Sequence, residues 1–259
     1  MSILLLMDDG PPFPRSLFSA GEQGIWLDPS DFSTLYQDAA GTTPVTAVGQ
    51  PVGKILDKSG RGNHATQSTG ASRPTLQQDS NGLYYLSFDG TDDGMATPSI
   101  DFTGTDKMTV WAGVRKLSDA AIGMIVELSA SLPSNAGTFY LAAPQVAGAA
   151  AYAFASRGSI TVTNITAGAT APDTSVIVGV GDISGDIELI RRNGAQAGVS
   201  TVNQGTGTYG NYPLYIGRRG GASLPFNGRI YQLIVRGAAS NAGQIAAGEA
   251  WCNSKTRAY

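Results

Sequence analysis

From Lys107 to Lys116 the chain alternates, and Met108, Val110, Ala112 and Val114 fall on one side of an extended backbone. A period of two sustained over ten residues describes a half-buried β-strand, because helical apolar residues recur every three or four positions. Shorter runs of strand character occupy 24–27, 83–88, 122–128, 138–142, 152–155, 174–180, 186–192, 214–217 and 229–236. The last is apolar on both sides, with Tyr231, Leu233 and Val235 against Ile230 and Ile234, as expected of a central strand. Asn81-Gly82 and Asn193-Gly194 are tight hairpin turns, since both central positions of such turns need positive φ. Ser30 or Asp31 caps a short helical turn after the first strand. The polar, Gly-rich stretch 39–74 reads as long surface loops. Only 240–257 has helical spacing, through Ala242, Ile245, Ala246, Glu249 and Cys252. The fold expected is all-β: two antiparallel sheets in one sandwich, with a short C-terminal helix.

Composition narrows the classes further. A single cysteine, Cys252, excludes an internal disulfide and any multi-cysteine metal site. A net charge of −3 gives no basic footprint for nucleic acid, and no apolar run approaches the length of a membrane span. Arginine outnumbers lysine twelve to five and only four glutamates are present, a bias that suits a surface engaged by partners. Residues 1–21 read as an extended arm ahead of one domain at 22–259. The arm carries Ile3, Leu4, Leu5, Leu6 and Phe13, stiffened by Pro11, Pro12 and Pro14, and either folds back on the body or docks on a neighbour. The expected setting has no nucleic acid and no membrane, and a homo-oligomer is compatible with it.

Several segments together carry a resemblance. Trp26-Leu27-Asp28, Asp57-Lys58-Ser59-Gly60-Arg61-Gly62-Asn63-His64-Ala65 and Leu86-Ser87-Phe88-Asp89-Gly90 resemble the opening of one family. Leu214-Tyr215-Ile216-Gly217, Phe226-Asn227-Gly228-Arg229-Ile230 and the helix around Glu249 and Trp251 resemble its close. That family is the concanavalin A-like lectin/glucanase superfamily, in its laminin-G-like branch, as found in bacteriophage tail and virion proteins. The resemblance covers about residues 22–257 and implies a jelly-roll sandwich used for glycan or protein binding.

Fold alone does not assign chemistry, so the residues must. Glycoside hydrolysis needs two carboxyl groups about 5–9.5 Å apart. The superfamily's glucanases set paired glutamates on one strand, whereas Glu22, Glu127, Glu188 and Glu249 are scattered. His64 is the single histidine, in a Gly-rich loop with no Gly-x-Ser-x-Gly elbow anywhere, so a catalytic triad is not expected. The loop from Asp57 to His64 reads as a structural signature more than a ligand site. The resemblance raises calcium, for which Asp89, Asp92 and Asp93 supply hard oxygen ligands; a self-satisfied turn is the favoured reading, and no other cofactor is implied. For glycan contact the candidates are Tyr209, Asn211, Tyr212, Arg218 and Arg219, aromatic faces beside planar donor groups.

Two functions are consistent with these residues. The first is a non-enzymatic bacteriophage virion protein (capsid decoration, head fibre or tail component), assembled in the bacterial host cytoplasm. Its arm would dock on other virion proteins, and its lectin-like domain would contact protein or surface glycan. The alternative is a free carbohydrate-binding module or glycan hydrolase.

Overall fold

The computed structural model of the chain describes residues 13–160 and 164–259. Among these residues the alternating runs pair into two antiparallel sheets. The first sheet holds β1 (Gly24–Leu27), β5 (Thr75–Gln78), β6 (Tyr84–Asp89), β8 (Lys107–Lys116), β13 (Asp173–Asp182), β14 (Ile187–Arg192), β15 (Ala195–Ser200) and β17 (Asn227–Arg236). The second holds β2 (Leu35–Tyr36), β3 (Lys54–Ile55), β4 (Ala65–Thr66), β7 (Met95–Asp101), β9 (Met124–Leu128), β10 (Thr138–Ala142), β11 (Ala151–Arg157), β12 (Ile165–Gly168) and β16 (Asn211–Ile216). The order in the first is β15-β14-β13-β8-β17-β6-β5, with β1 also on β17. In the second it is β12-β11-β10-β9-β16-β7-β4-β3-β2.

Burial of the inward residues drives the two sheets together, at roughly 25 cal/mol per Å² of apolar surface removed from water. Met108, Val110, Ala112 and Val114 lie in that interlayer core with Phe88, Phe139, Leu141, Phe154 and Leu214, as their alternation requires. Trp111, the odd member of β8, points the other way into a second cluster outside the first sheet. Leu17, Phe18, Trp26, Val176, Val178, Ile234 and Cys252 complete that cluster, and α1 (Ala242–Thr256) covers it.

The helix begins where the sequence stops it fraying. The Asn241 side chain accepts from the Gln244 amide, and the Gln244 side chain accepts from the Asn241 amide, satisfying two donors that helix N-termini leave open. Its seated face is Gly248, Glu249, Cys252 and Thr256. Ala242 and Ala246, expected to share that face, are exposed, because the helix seats on the sheet through its later turns, from Gly248 onward. A Cβ on Gly248 would collide with the Trp111 indole nitrogen, and that nitrogen donates to the Ile245 carbonyl at 3.3 Å.

Three expectations change. The stretch 39–74 is not only surface loop: β3 and β4 lie in it, and Val45, Val52, Ile55 and Ala65 are buried. These four apolar residues are too widely spaced to register as periodic. The alternation of β17 is interrupted by a bulge between Ile230 and Gln232. Ile230, Leu233 and Val235 therefore face the main core, and Tyr231 faces outward with Ile234. The described part of the arm packs on the body: Leu17 and Phe18 are buried, and the Phe13 ring meets Trp251 edge-on at 6.2 Å. Ile3, Leu4, Leu5 and Leu6 lie outside the described residues.

Candidate functional site

The helix covers only part of the outer face of the first sheet. Beyond its C-terminal end is a cavity of about 540 Å³, lined by Arg115, Arg229, Arg257, Tyr85, Tyr231 and Asp79 among others. Arg115 of β8 and Arg229 of β17 are direct cross-strand partners, so their side chains leave the sheet side by side on this face. Arg115 donates through Nη1 to Thr174 Oγ1 at 3.1 Å, and its Nε is buried with no acceptor among the described residues. The Arg229 guanidinium lies 4.6 Å above the centre of the Tyr85 ring. Tyr85 and Tyr231, with ring centres 5.1 Å apart, form the floor, and each is less than a tenth exposed. The Tyr231 hydroxyl donates to Asp79 Oδ2 at 3.2 Å, while Asp79 Oδ1 accepts from the amides of Asn81 and Leu83. Burial pushes the Tyr231 phenol upward, so it stays a protonated donor at neutral pH. The bulge is what gives Tyr231 this place. Sequence spacing does not join these residues, which come from separate strands and a turn.

The five expected glycan contacts do not converge. Tyr209 is wholly buried: its hydroxyl bonds Ser156 Oγ at 2.6 Å inside the main core, and its ring cannot reach a sugar. Asn211 is exposed and Tyr212 is half-buried against the core. Arg218 donates to the carbonyls of Asp92 and Ala222 at 3.0 and 2.8 Å. Arg219 is ion-paired to Glu127 at 2.7 Å and lies 5.9 Å over the Tyr140 ring, so its fork is also engaged. Strand-end position alone groups these residues in sequence; Tyr209, just before β16, turns into the core, and only Arg218 and Arg219 lie in the turn after it.

The carboxylates have structural partners. Asp89, Asp92 and Asp93 place one oxygen each within 4.8 Å of one another. Asp89 Oδ1 accepts from the amides of Thr91 and Asp92, Asp93 Oδ2 from the Asp89 amide, and Asp92 Oδ2 from the Ser72 hydroxyl. The set offers three of the 6–8 oxygens calcium takes, already turned to the loop's own donors, so it fits a closed turn better than a metal cage. Burial and the neighbouring Asp89 push the Asp93 carboxyl up to about 6. Asp93→Asn is expected to raise stability at pH 8 by about 1 kcal/mol, since it removes a buried like charge while keeping the acceptor. Thermal melts should show that gain shrinking below pH 6 and vanishing below about pH 4; a loss at pH 8 would contradict it.

Glu22, Glu127 and Glu249 are ion-paired with Arg236, Arg219 and Arg191 at 2.6, 2.7 and 2.8 Å. Glu188 is buried, its Oε1 accepting from the Ser156 amide at 2.5 Å. None of the four opens on the arginine-lined cavity. His64 Nδ1 accepts from the Asp57 amide at 3.0 Å, and Asp57 accepts from the amides of Trp26, Ser59 and Asn63. The Asp57–His64 loop thus clips β1 in place. Cys252 is buried, and desolvation pushes its thiol far up, away from reactivity.

Comparison with known proteins agrees with this architecture. A family model, Laminin_G_3 of the concanavalin A-like lectin/glucanases superfamily, matches residues 89–246, more than half of the chain. No curated protein matches. Among solved structures, botulinum neurotoxin type C, in work describing cell entry dependent on two ganglioside molecules, aligns with a TM-score of 0.58 at 10% identity. That alignment covers 89% of this chain and 51% of the other. The binding domain of Paraclostridial Mosquitocidal Protein 1 aligns at 0.57 and 15% identity, over 80% and 51%. The binding domain of botulinum neurotoxin DC in complex with SialylT aligns at 0.55 and 11% identity, over 76% and 48%. The chain spans about half the length of each, and identities this low speak to the fold alone.

Proposed function

The chain belongs to the concanavalin A-like lectin/glucanases superfamily, and we propose that it acts there as a binding module, not a hydrolase, that recognises a surface glycan. The observation that carries this reading is the polar cavity on the outer face of the first sheet, rich in arginine donors and with no pair of carboxyl groups in it. A cavity with donors and one turn-bound aspartate can hold a ligand, but it lacks the acid and base that glycosidic cleavage needs. Three of the four glutamates being ion-paired supports the same reading. So does the company the fold keeps, since domains described as binding domains share it.

The setting we propose is a bacteriophage virion, with the apolar residues Ile3–Leu6 as the contact to other particle proteins. It is supported by the sequence resemblance and by the arginine-rich, glutamate-poor composition. Because Leu17 and Phe18 are built into the second cluster, an arm deletion should stop before Phe13. Removal of residues 1–12 is expected to leave the melting temperature within a few degrees and to abolish particle association. Retained association would remove the docking role.

The binding reading is tested by incubating the intact protein with an array of bacterial and animal polysaccharides, reading retention and reducing ends together. Retention on at least one glycan, with no new reducing ends, is expected, and millimolar calcium should leave it unchanged. Release of reducing ends would restore the hydrolase alternative, and retention that requires calcium would bring the Asp89 loop into the site.

A further inference from the structure

The cations of this protein are, as a rule, tied down. Lys58, Lys107, Lys116, Arg191, Arg192, Arg219, Arg236 and Lys255 make ion pairs. Arg61, Arg73, Arg157 and Arg218 donate to main-chain carbonyls. The arginines of the outer-face cavity break that rule together. Arg115, Arg229 and Arg257 have no ion pair among the described residues, and the only protein acceptor of the Arg115 guanidinium is a threonine hydroxyl. Like charges set directly opposite on neighbouring strands destabilise a sheet, and among the described residues no carboxylate pairs directly with Arg115 or Arg229. The single carboxylate nearby, Asp79, is occupied by its own turn and by Tyr231.

The two strand arginines are also ordered, which separates this arrangement from loose surface charge. Arg229 is stacked on Tyr85 and Arg115 is pinned to Thr174, so each presents its remaining N–H groups at little further entropic cost. Planar guanidinium forks match an oxyanion, and two of them side by side can take both oxygens of a carboxylate or two of a sulfate. The Tyr231 hydroxyl, the Thr174 hydroxyl and the turn residues Ser80 and Asn81 around the rim provide neutral donors and acceptors suited to sugar hydroxyls. Because both tyrosine rings are buried floor, the cavity offers no exposed aromatic plate for a neutral sugar face.

We infer that this cavity is an oxyanion-recognition subsite for an acidic sugar residue, with Arg115 and Arg229 clamping its carboxylate or sulfate group. The inference rests on the glycan-binding reading and specifies its ligand. Arg257, one residue past the helix and exposed, contributes field more than geometry.

The test uses the full chain in isothermal titration against four probes: sialyllactose and oligogalacturonate for carboxylated sugars, a heparin-derived oligosaccharide for sulfated ones, and lactose as the neutral counterpart. At least one acidic probe should bind at least about 10-fold tighter than lactose, and its affinity should weaken as salt rises. Which acidic probe leads identifies the source of the oxyanion. Arg229→Lys, which keeps the charge but not the fork, should cost about 10-fold, and the Arg115→Gln/Arg229→Gln pair about 100-fold or more. A structural role predicts that these variants melt earlier. The clamp predicts the opposite for the Arg115→Gln/Arg229→Gln pair, since relief of the like-charge repulsion should leave its ligand-free melting temperature equal or higher. Equal binding of lactose and acidic probes, or acidic binding that survives the double variant, would overturn the inference while leaving a glycan-binding protein. Free sulfate, titrated alongside, should bind more weakly than the leading sugar; binding as tight as any sugar would overturn the inference as well, and no binding by any sugar would remove the underlying reading.

Discussion

Lowering the pH from 8 to between 5 and 6 is expected to stabilise this protein, by about 2 kcal/mol from one side chain. Glu188 is buried in the first sheet with its Oε2 unpartnered, and burial lifts its carboxyl from 4.5 to about 7. A carboxyl whose folded value is raised binds more protons in the folded than in the unfolded state. Its penalty is therefore absent below pH 4.5 and grows through the window up to about 7, remaining full above it. Asp93 adds a smaller effect of the same sign between 3.8 and about 6. Glu22, Asp31, Asp89 and Asp106 act oppositely. Their carboxyls are held below the ordinary range by Arg236, Lys58, loop amides and Ser184, against the opposing effect of burial, so the stability they contribute is lost as pH falls below about 4. The result is a maximum near pH 5. Urea unfolding at pH 8, 6.5, 5 and 3.5 measures it, and Glu188→Gln should flatten the alkaline limb. A flat limb in the unsubstituted protein would disprove the assignment.

The second large effect runs against helix propensity. Alanine is favoured over glycine inside a helix by about 1 kcal/mol. At position 248 the exchange should instead cost about 2–3 kcal/mol, because the new methyl would meet a fully buried indole that has no room to yield. Trp111→Ala should cost about 3–5 kcal/mol by emptying the same contact. Combining Gly248→Ala with Trp111→Phe should recover part of the loss, as two changes in one contact do not add. The helix end also borders the cavity through Thr256 and Arg257, so ligand affinity should fall with Gly248→Ala. Denaturation midpoints of the single and double variants decide the matter; a stabilised Gly248→Ala would show that the helix is not seated on Trp111.

These cases mark where the sequence was legible. Strand β8 and the Asn193-Gly194 hairpin could be read directly, because alternation and turn chemistry are local properties. Strand β7 was not, since Thr97, Pro98 and Ser99 dilute its pattern, and β15 carries too few apolar residues to announce itself. The cavity was illegible for a different reason. Its residues come from a turn, five strands and a helix end, and only cross-strand register makes Arg115 the neighbour of Arg229. Tyr209 misled because an aromatic next to a polar strand end reads alike whether it faces water or a buried serine.

The pairing of the first strand has a kinetic meaning. Gly24–Leu27 lies against Leu233–Arg236, joining segments more than 200 residues apart, and Trp26 packs in the cluster that α1 seals. Closing so long a loop is entropically unfavourable until other contacts have already drawn the chain together. Strand β1 should consequently be the last to acquire hydrogen-exchange protection during refolding. On the ribosome it must wait, unpaired, until Leu233–Arg236 have emerged.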